Sequence, residues 1–271
     1  MDYIKNIREK KPLIHNITNY VTVNDVANCL LGIGASPVMA DAPEEMADMA
    51  GIASALNINI GTLNQETVLA MHAAGKAAAA LHKPVVLDPV GAGASAFRTE
   101  TALFLMREIP FTVIKGNISE IKALFSGAMS TSGVDASEED LLTKENEDDT
   151  VEYLRTVAGE RTCILVVTGV RDIVTDGKTV YLIDNGCPEM KEVTGTGCML
   201  SALLAAFISA NPKTPLEAAA SAVMTMGIAG ERAQKQMQAG EGNFSYRGRI
   251  LDAISQMTDE DLRKAGRYDV R

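Results

Sequence analysis

The chain has 271 residues, 46% of them hydrophobic and 22% charged, with a formal net charge of −10 at pH 7. That balance suits a globular protein and excludes a surface built for nucleic acid or anionic lipid, which needs clustered Lys and Arg. Residues 1–11 are polar, no apolar run is long enough for a membrane span, and the four cysteines form no C-x-x-C pair. A cytoplasmic protein with reduced thiols is therefore expected.

Short apolar runs alternate with helical patterns along the chain. A strand is predicted at 13–17, then helices at 24–31 and 44–54. A strand at 56–60 precedes a helix at 65–82. A strand at 85–87 precedes a helix at 99–107, and a strand at 112–115 precedes a helix at 119–125. Residues 135–150 are acidic and read as a solvated loop and helix face. A helix at 150–158 leads into the strand 163–168. Strands at 172–175 and 179–183 flank Asp176-Gly177, a hairpin signal. A buried helix at 199–208 stops at Asn211-Pro212. A helix at 215–238 and a final helix at 249–256 complete the pattern. Strands alternating with helices predict one α/β domain over residues 1–271. Its mostly parallel sheet is covered on both faces, and ligands bind beyond the carboxyl ends of its strands.

Two familiar patterns fail. Gly75-Lys76 lacks the glycine that a phosphate-binding P-loop needs at position 70, which is Ala. Gly91-Ala92-Gly93-Ala94-Ser95-Ala96 fits a dinucleotide fingerprint, but Asp88-Pro89 intervenes and the strand is not the first in the chain. His15, His72 and His82 are far apart, so no zinc site is expected.

Four stretches survive. Asp88 at a strand end could hold Mg²⁺ or cap a turn. In Lys115-Gly116-Asn117-Ile118-Ser119-Glu120, Lys115 offers a cation to phosphate. Asn117 and Glu120 face one way, either to bind Mg²⁺ and its waters or to cap the helix reciprocally. Thr168 ends the strongest strand, where its hydroxyl could meet a nucleotide. In Gly195-Thr196-Gly197-Cys198, glycines at a helix start present N–H groups to an anion. Cys198 lies at the first turn, where a thiol is expected to lose its proton more easily.

The order of these elements resembles the ribokinase-like small-molecule kinases, which pair an Asn-x-x-Glu motif with a late Gly-x-Gly-Asp anion hole. Cys198 replaces the Asp, and that departure is similar to the hydroxyethylthiazole kinase family of thiamine biosynthesis. The matching segments are Leu13-Ile14-His15-Asn16-Ile17-Thr18-Asn19, Gly34-Ala35-Ser36-Pro37-Val38-Met39, Leu87-Asp88-Pro89-Val90-Gly91-Ala92, Ile114-Lys115-Gly116-Asn117-Ile118-Ser119-Glu120-Ile121, Val166-Val167-Thr168-Gly169 and residues 193–199. The resemblance implies a three-layer fold without a separate lid domain and ATP-dependent phosphorylation of a thiazole alcohol. It further implies Gly195, Thr196 and Gly197 as the anion hole, with Cys198 as proton acceptor or alcohol-orienting group. The same resemblance implies Met39, Gly195, Asn16 and Asn24 as substrate contacts, and Lys115, Thr168 and Asn117 as ATP contacts. It also implies Asp88 and Glu120 as the Mg²⁺ side, and a homotrimer with sites between subunits. Lys115 stands where the family also takes Arg. Kinases for hydroxymethylpyrimidine or pyridoxal, a nucleotide-dependent hydrate dehydratase and a non-catalytic nucleotide-binding regulator stay open as alternatives.

Overall fold

The computed structural model describes residues 2–125 and 146–271. Among the described residues nine strands form one sheet: β1 (Leu13–Ile17), β2 (Ser36–Met39), β3 (Ala55–Asn59), β4 (Val85–Asp88), β5 (Val113–Asn117), β6 (Ile164–Thr168), β7 (Asp172–Thr175), β8 (Val180–Ile183) and β9 (Tyr268–Val270). Their order is β2-β1-β3-β4-β5-β6-β7-β8-β9. The first six are parallel and the last three antiparallel. The Asp176-Gly177 turn joins β7 to β8, and Gly177 takes φ +90° there.

The helices are α1 (Tyr3–Lys10), α2 (Val23–Ile33), α3 (Met46–Ile52), α4 (Gln65–Ala80), α5 (Ala96–Glu108), α6 (Ile118–Phe125), α7 (Glu147–Arg161), α8 (Thr196–Ala210), α9 (Pro215–Gln236), α10 (Asn243–Gln256) and α11 (Asp259–Ala265). Alternation along the strands sorts side chains between two cores. Ala55, Val86, Val113 and Val166 pack with α1, α2, α8, α9 and α10. Leu56, Ile58, Leu87, Ile114 and Leu165 pack with α4, α5, α6 and α7. The result is a helix–sheet–helix sandwich. The central helix α8 is buried from Met199 to Ile208, so its sequence is apolar all round rather than striped.

Several boundaries depart from the sequence pattern. β2, absent from the expected strands, carries Pro37; it is an edge strand bonded only to β1, where proline is tolerated. α1 buries only Tyr3, Ile4 and Ile7, too few to show a period. α10 is not the final helix: α11 follows, set by a Thr258–Asp261 capping box, and β9 follows that. Gly75-Lys76 lies within α4, and Ser95 caps α5. Of the acidic stretch 135–150, residues 135–145 lie outside the described residues. Among the described residues, no helix is long and apolar enough to cross a membrane.

Candidate active site

All six parallel strands end on one side of the sheet, and residues at or near those ends form a row. Read across the sheet it runs Met39, Asn16, Asn59, Asp88, Lys115 with Asn117, and Thr168. Backbone register aligns Asn16 with Met39, Asn59 with Asp88, and Asn117 with Thr168. The start of α8 lies over the middle of this row, because Ser201 in its second turn reaches Asp88.

Asp88 is fully buried, so its charge requires partners. It accepts from Asn59 Nδ2 at 2.9 Å, from Ser201 Oγ at 2.5 Å and from Lys115 Nζ at 3.2 and 3.3 Å. Lys115 is 5% exposed. Burial alone would lower its pKa, but Asp88 and then Glu120 outweigh it, and the ammonium is held above its ordinary value. A Cβ added to Gly197 would sit 3.0 Å from Lys115 Nζ. The cation therefore lies directly beneath the first turn of α8.

Gly195 takes φ +98° as the residue before α8. A Cβ there would meet Thr22 Cγ2 at 2.8 Å. Conformation and space both demand glycine, and the chain turns so that the first N–H groups of α8 are left without intrahelical partners. Cys198 is half-buried and its Sγ accepts from Asn19 Nδ2 at 3.1 Å. The expected ease of deprotonation is not found. Burial, reinforced by Asp88, raises the thiol, and Lys115 with the Thr22 and Asn19 hydrogen bonds only partly offsets this.

Asn117 and Glu120 do close a capping box. Glu120 N–H donates to Asn117 Oδ1 at 2.8 Å, and Asn117 N–H donates to Glu120 Oε2 at 2.8 Å. Glu120 Oε1 also accepts from Gly91 N–H at 2.7 Å. The cap thus pins the carboxylate at the β5–α6 junction. Burial pushes Glu120 up to about 7, with Lys115 opposing. Among the described residues no cluster of three His, Cys, Asp or Glu is gathered for a metal. The two hard carboxylates do suit Mg²⁺, which keeps several waters and takes one or two carboxylates together with substrate phosphates.

The other expected residues sort by place. Thr168 Oγ1 makes a long 3.5 Å contact to the Gly116 carbonyl. Met39 is half-buried against the α8 core. Asn16 is buried, accepts from Asn57 Nδ2 at 3.0 Å and donates to the Ile14 carbonyl. Asn24 is not brought to this row; it lies on the exposed face of α2, bonded by Asn28.

Sequence reasoning missed Asn19, Asn59 and Ser201. Asn19 Nδ2 bridges Cys198 and Asn59 Oδ1, while its Oδ1 accepts from Thr22 N–H and Oγ1. One signal was available: Leu56-Asn57-Ile58-Asn59-Ile60 places two amides on one face of an otherwise apolar strand.

Residues 4–260 match the Hydroxyethylthiazole kinase family. A relative described as hydroxyethylthiazole kinase from Clostridium acetobutylicum is 48% identical over 98% of this chain and 97% of its own. The solved structure of a hydroxyethylthiazole kinase protein from Pyrococcus horikoshii OT3 superposes with a TM-score of 0.87 at 37% identity, covering 99% of this chain and 97% of that one. A ribokinase-like superfamily protein from Enterococcus faecalis V583 (TM-score 0.61, 13% identity, 94% of this chain and 89% of that one) shares the fold alone. Matched end to end by family and by fold, the chain belongs to the hydroxyethylthiazole kinase family.

Proposed function

We propose that this chain transfers the γ-phosphoryl group of ATP to the primary hydroxyl of 4-methyl-5-(2-hydroxyethyl)thiazole, with Mg²⁺ as cofactor. The whole of residues 1–271 acts as one domain, in the cytoplasm. The observation that carries the reading is the glycine-led start of α8, with Cys198, seated over the buried Asp88–Lys115 pair. Strand order supports an acceptor side at Met39, Asn16 and Gly195 and a nucleotide side at Lys115, Asn117 and Thr168.

The N–H groups at Thr196 and Gly197, with the helix dipole, stabilise charge on the transferring phosphoryl group. Asp88 and Glu120 are the residues to hold Mg²⁺, which offsets phosphate charge. A carboxylate raised to about 7 by burial gains most from a nearby cation. The raised thiol of Cys198 keeps its proton at neutral pH, so it orients the alcohol first. In a loose transition state the alcohol loses its proton late, and a strong base is not required. Tyr20 and Val21 are exposed beside Asn19, and Asn24 follows on the same outer surface. These residues support a homotrimer whose neighbouring subunit covers the site. Light scattering that finds a fully active monomer would sink that part.

The deciding assay measures ADP release with hydroxyethylthiazole, hydroxymethylpyrimidine, pyridoxal or no acceptor. Thiazole-dependent release is expected, and Cys198→Ala should reduce it severely. No release with any acceptor refutes the reading, and near-normal turnover by Cys198→Ala removes the thiol from the mechanism.

A further inference from the structure

The donors around Asp88 are shared unevenly between its two oxygens. Oδ2 accepts from Asn59 Nδ2 at 2.9 Å, Ser201 Oγ at 2.5 Å and Lys115 Nζ at 3.3 Å. Oδ1 accepts, among the described residues, from Lys115 Nζ alone, at 3.2 Å. A carboxylate oxygen has two acceptor lone pairs, so Oδ2 is full and the place for any further cation is at Oδ1, where the ammonium sits.

The donors also differ in freedom. Asn59 is fixed through its Oδ1, which accepts from Gly61 N–H and Asn19 Nδ2. Ser201 is fixed on α8, where its hydroxyl also bonds the Gly197 carbonyl at 3.1 Å. Lys115 alone carries its donor on a flexible four-carbon stem. Its Nζ already lies 3.0 Å from the Cβ position of Gly197, under the N–H groups that face an anion. A divalent cation entering alone would place three positive charges beside two buried carboxylates. At such short range in a poorly solvated site, that repulsion is strong. Phosphates arriving with the cation reverse the balance, because they give the ammonium a new partner within reach.

We propose that the Lys115 ammonium is a displaceable counter-ion of Asp88: it occupies the carboxylate oxygen a divalent cation needs, holds the nucleotide-free site against loading metal alone, and passes to the phosphates when metal and nucleotide bind together. This rests on the kinase reading of Asp88 and adds an order of binding to it.

The test titrates the nucleotide-free protein with Mn²⁺, a paramagnetic substitute for Mg²⁺, and follows free Mn²⁺ by electron paramagnetic resonance. The native chain should bind weakly. Lys115→Met and Lys115→Gln, checked for folding by circular dichroism, should bind at least tenfold tighter. Lys115→Arg keeps the charge and the pair, and should stay as weak as the native chain. Lys76→Met, an exposed partner of Glu108, should change nothing. Equal Mn²⁺ affinity in the native chain and the folded neutral variants overturns the proposal, as does a tenfold gain in Lys115→Arg. Thiazole-dependent turnover of the native chain is read separately. A failure of the kinase reading appears there, and a failure of the counter-ion appears in the Mn²⁺ titration.

Discussion

Gly195→Ala tests the claim that the turn before α8, proposed to hold the phosphoryl group, depends on glycine for two separable reasons. The first is conformational: at φ +98° a residue with a Cβ is strained by about 1–3 kcal/mol. The second is steric. The new Cβ would lie 2.8 Å from Thr22 Cγ2 and 3.2 Å from Thr22 Cβ. Thr22 is buried and tied through its N–H and hydroxyl to Asn19, so it has little room to retreat. Overpacking of this kind costs about 1–3 kcal/mol. The expected loss is their sum, roughly 2–6 kcal/mol. Thr22→Ser removes Cγ2 and keeps both hydrogen bonds; alone it should cost about 0.8 kcal/mol for the lost methyl. Combined with Gly195→Ala it should relieve the Cγ2 clash but not the 3.2 Å approach to Cβ, leaving a coupling of at most about 1–3 kcal/mol in the cycle. The assay is urea unfolding of all four proteins at one fixed protomer concentration, since oligomerisation shifts apparent stability. Turnover should fall at least tenfold in Gly195→Ala, because the N–H groups of α8 move with the turn. A loss under about 2 kcal/mol, or strict additivity of the two changes, refutes the reasoning.

Gly227→Ala should destabilise by about 1–3 kcal/mol or more, since its Cβ would lie 2.6 Å from the Asn185 backbone. A thermal melt unchanged from the native chain would show that the segment yields freely. Asp261 is held at about 2, chiefly by the Arg232 guanidinium and further by the Thr258 hydroxyl and N–H. A depressed carboxylate stabilises the fold fully above its unfolded value near 4, and that contribution fades as pH falls toward 2. Asp261→Asn should therefore melt below the native chain at pH 7, with the gap closing between about pH 4 and pH 2. A gap independent of pH over that range contradicts the assignment.

Local chemistry was enough to place much of this protein. β1 and β7 run where alternation and turn signals put them, and the Asp176-Gly177 hairpin forms because glycine accepts φ +90°. The glycines at the start of α8 and the Asn-x-x-Glu spacing are properties of adjacent residues, so they are legible in one dimension. Asn117 and Glu120 show the limit of that legibility. Spacing offered capping or metal binding as alternatives, and the fold lets the cap hold the carboxylate that a metal would use. The edge strand β2 was hidden because Pro37 is acceptable only where one side of a strand is unpaired, and edge position is a property of the assembled sheet.

The amino-acid order by itself determined which side chains sit at strand ends, since period and turn chemistry are local. Only the tertiary structure decided what those ends do to one another. Asp88 and Lys115 are ion-paired because β4 and β5 are neighbours, and Ser201 reaches Asp88 because α8 packs across that face. Cys198 stands at a helix start, which favours the thiolate, yet burial, with the Asp88 charge adding to it, raises it. Desolvation and charge pairing depend on distances through space, and those exist only once the chain has closed around them.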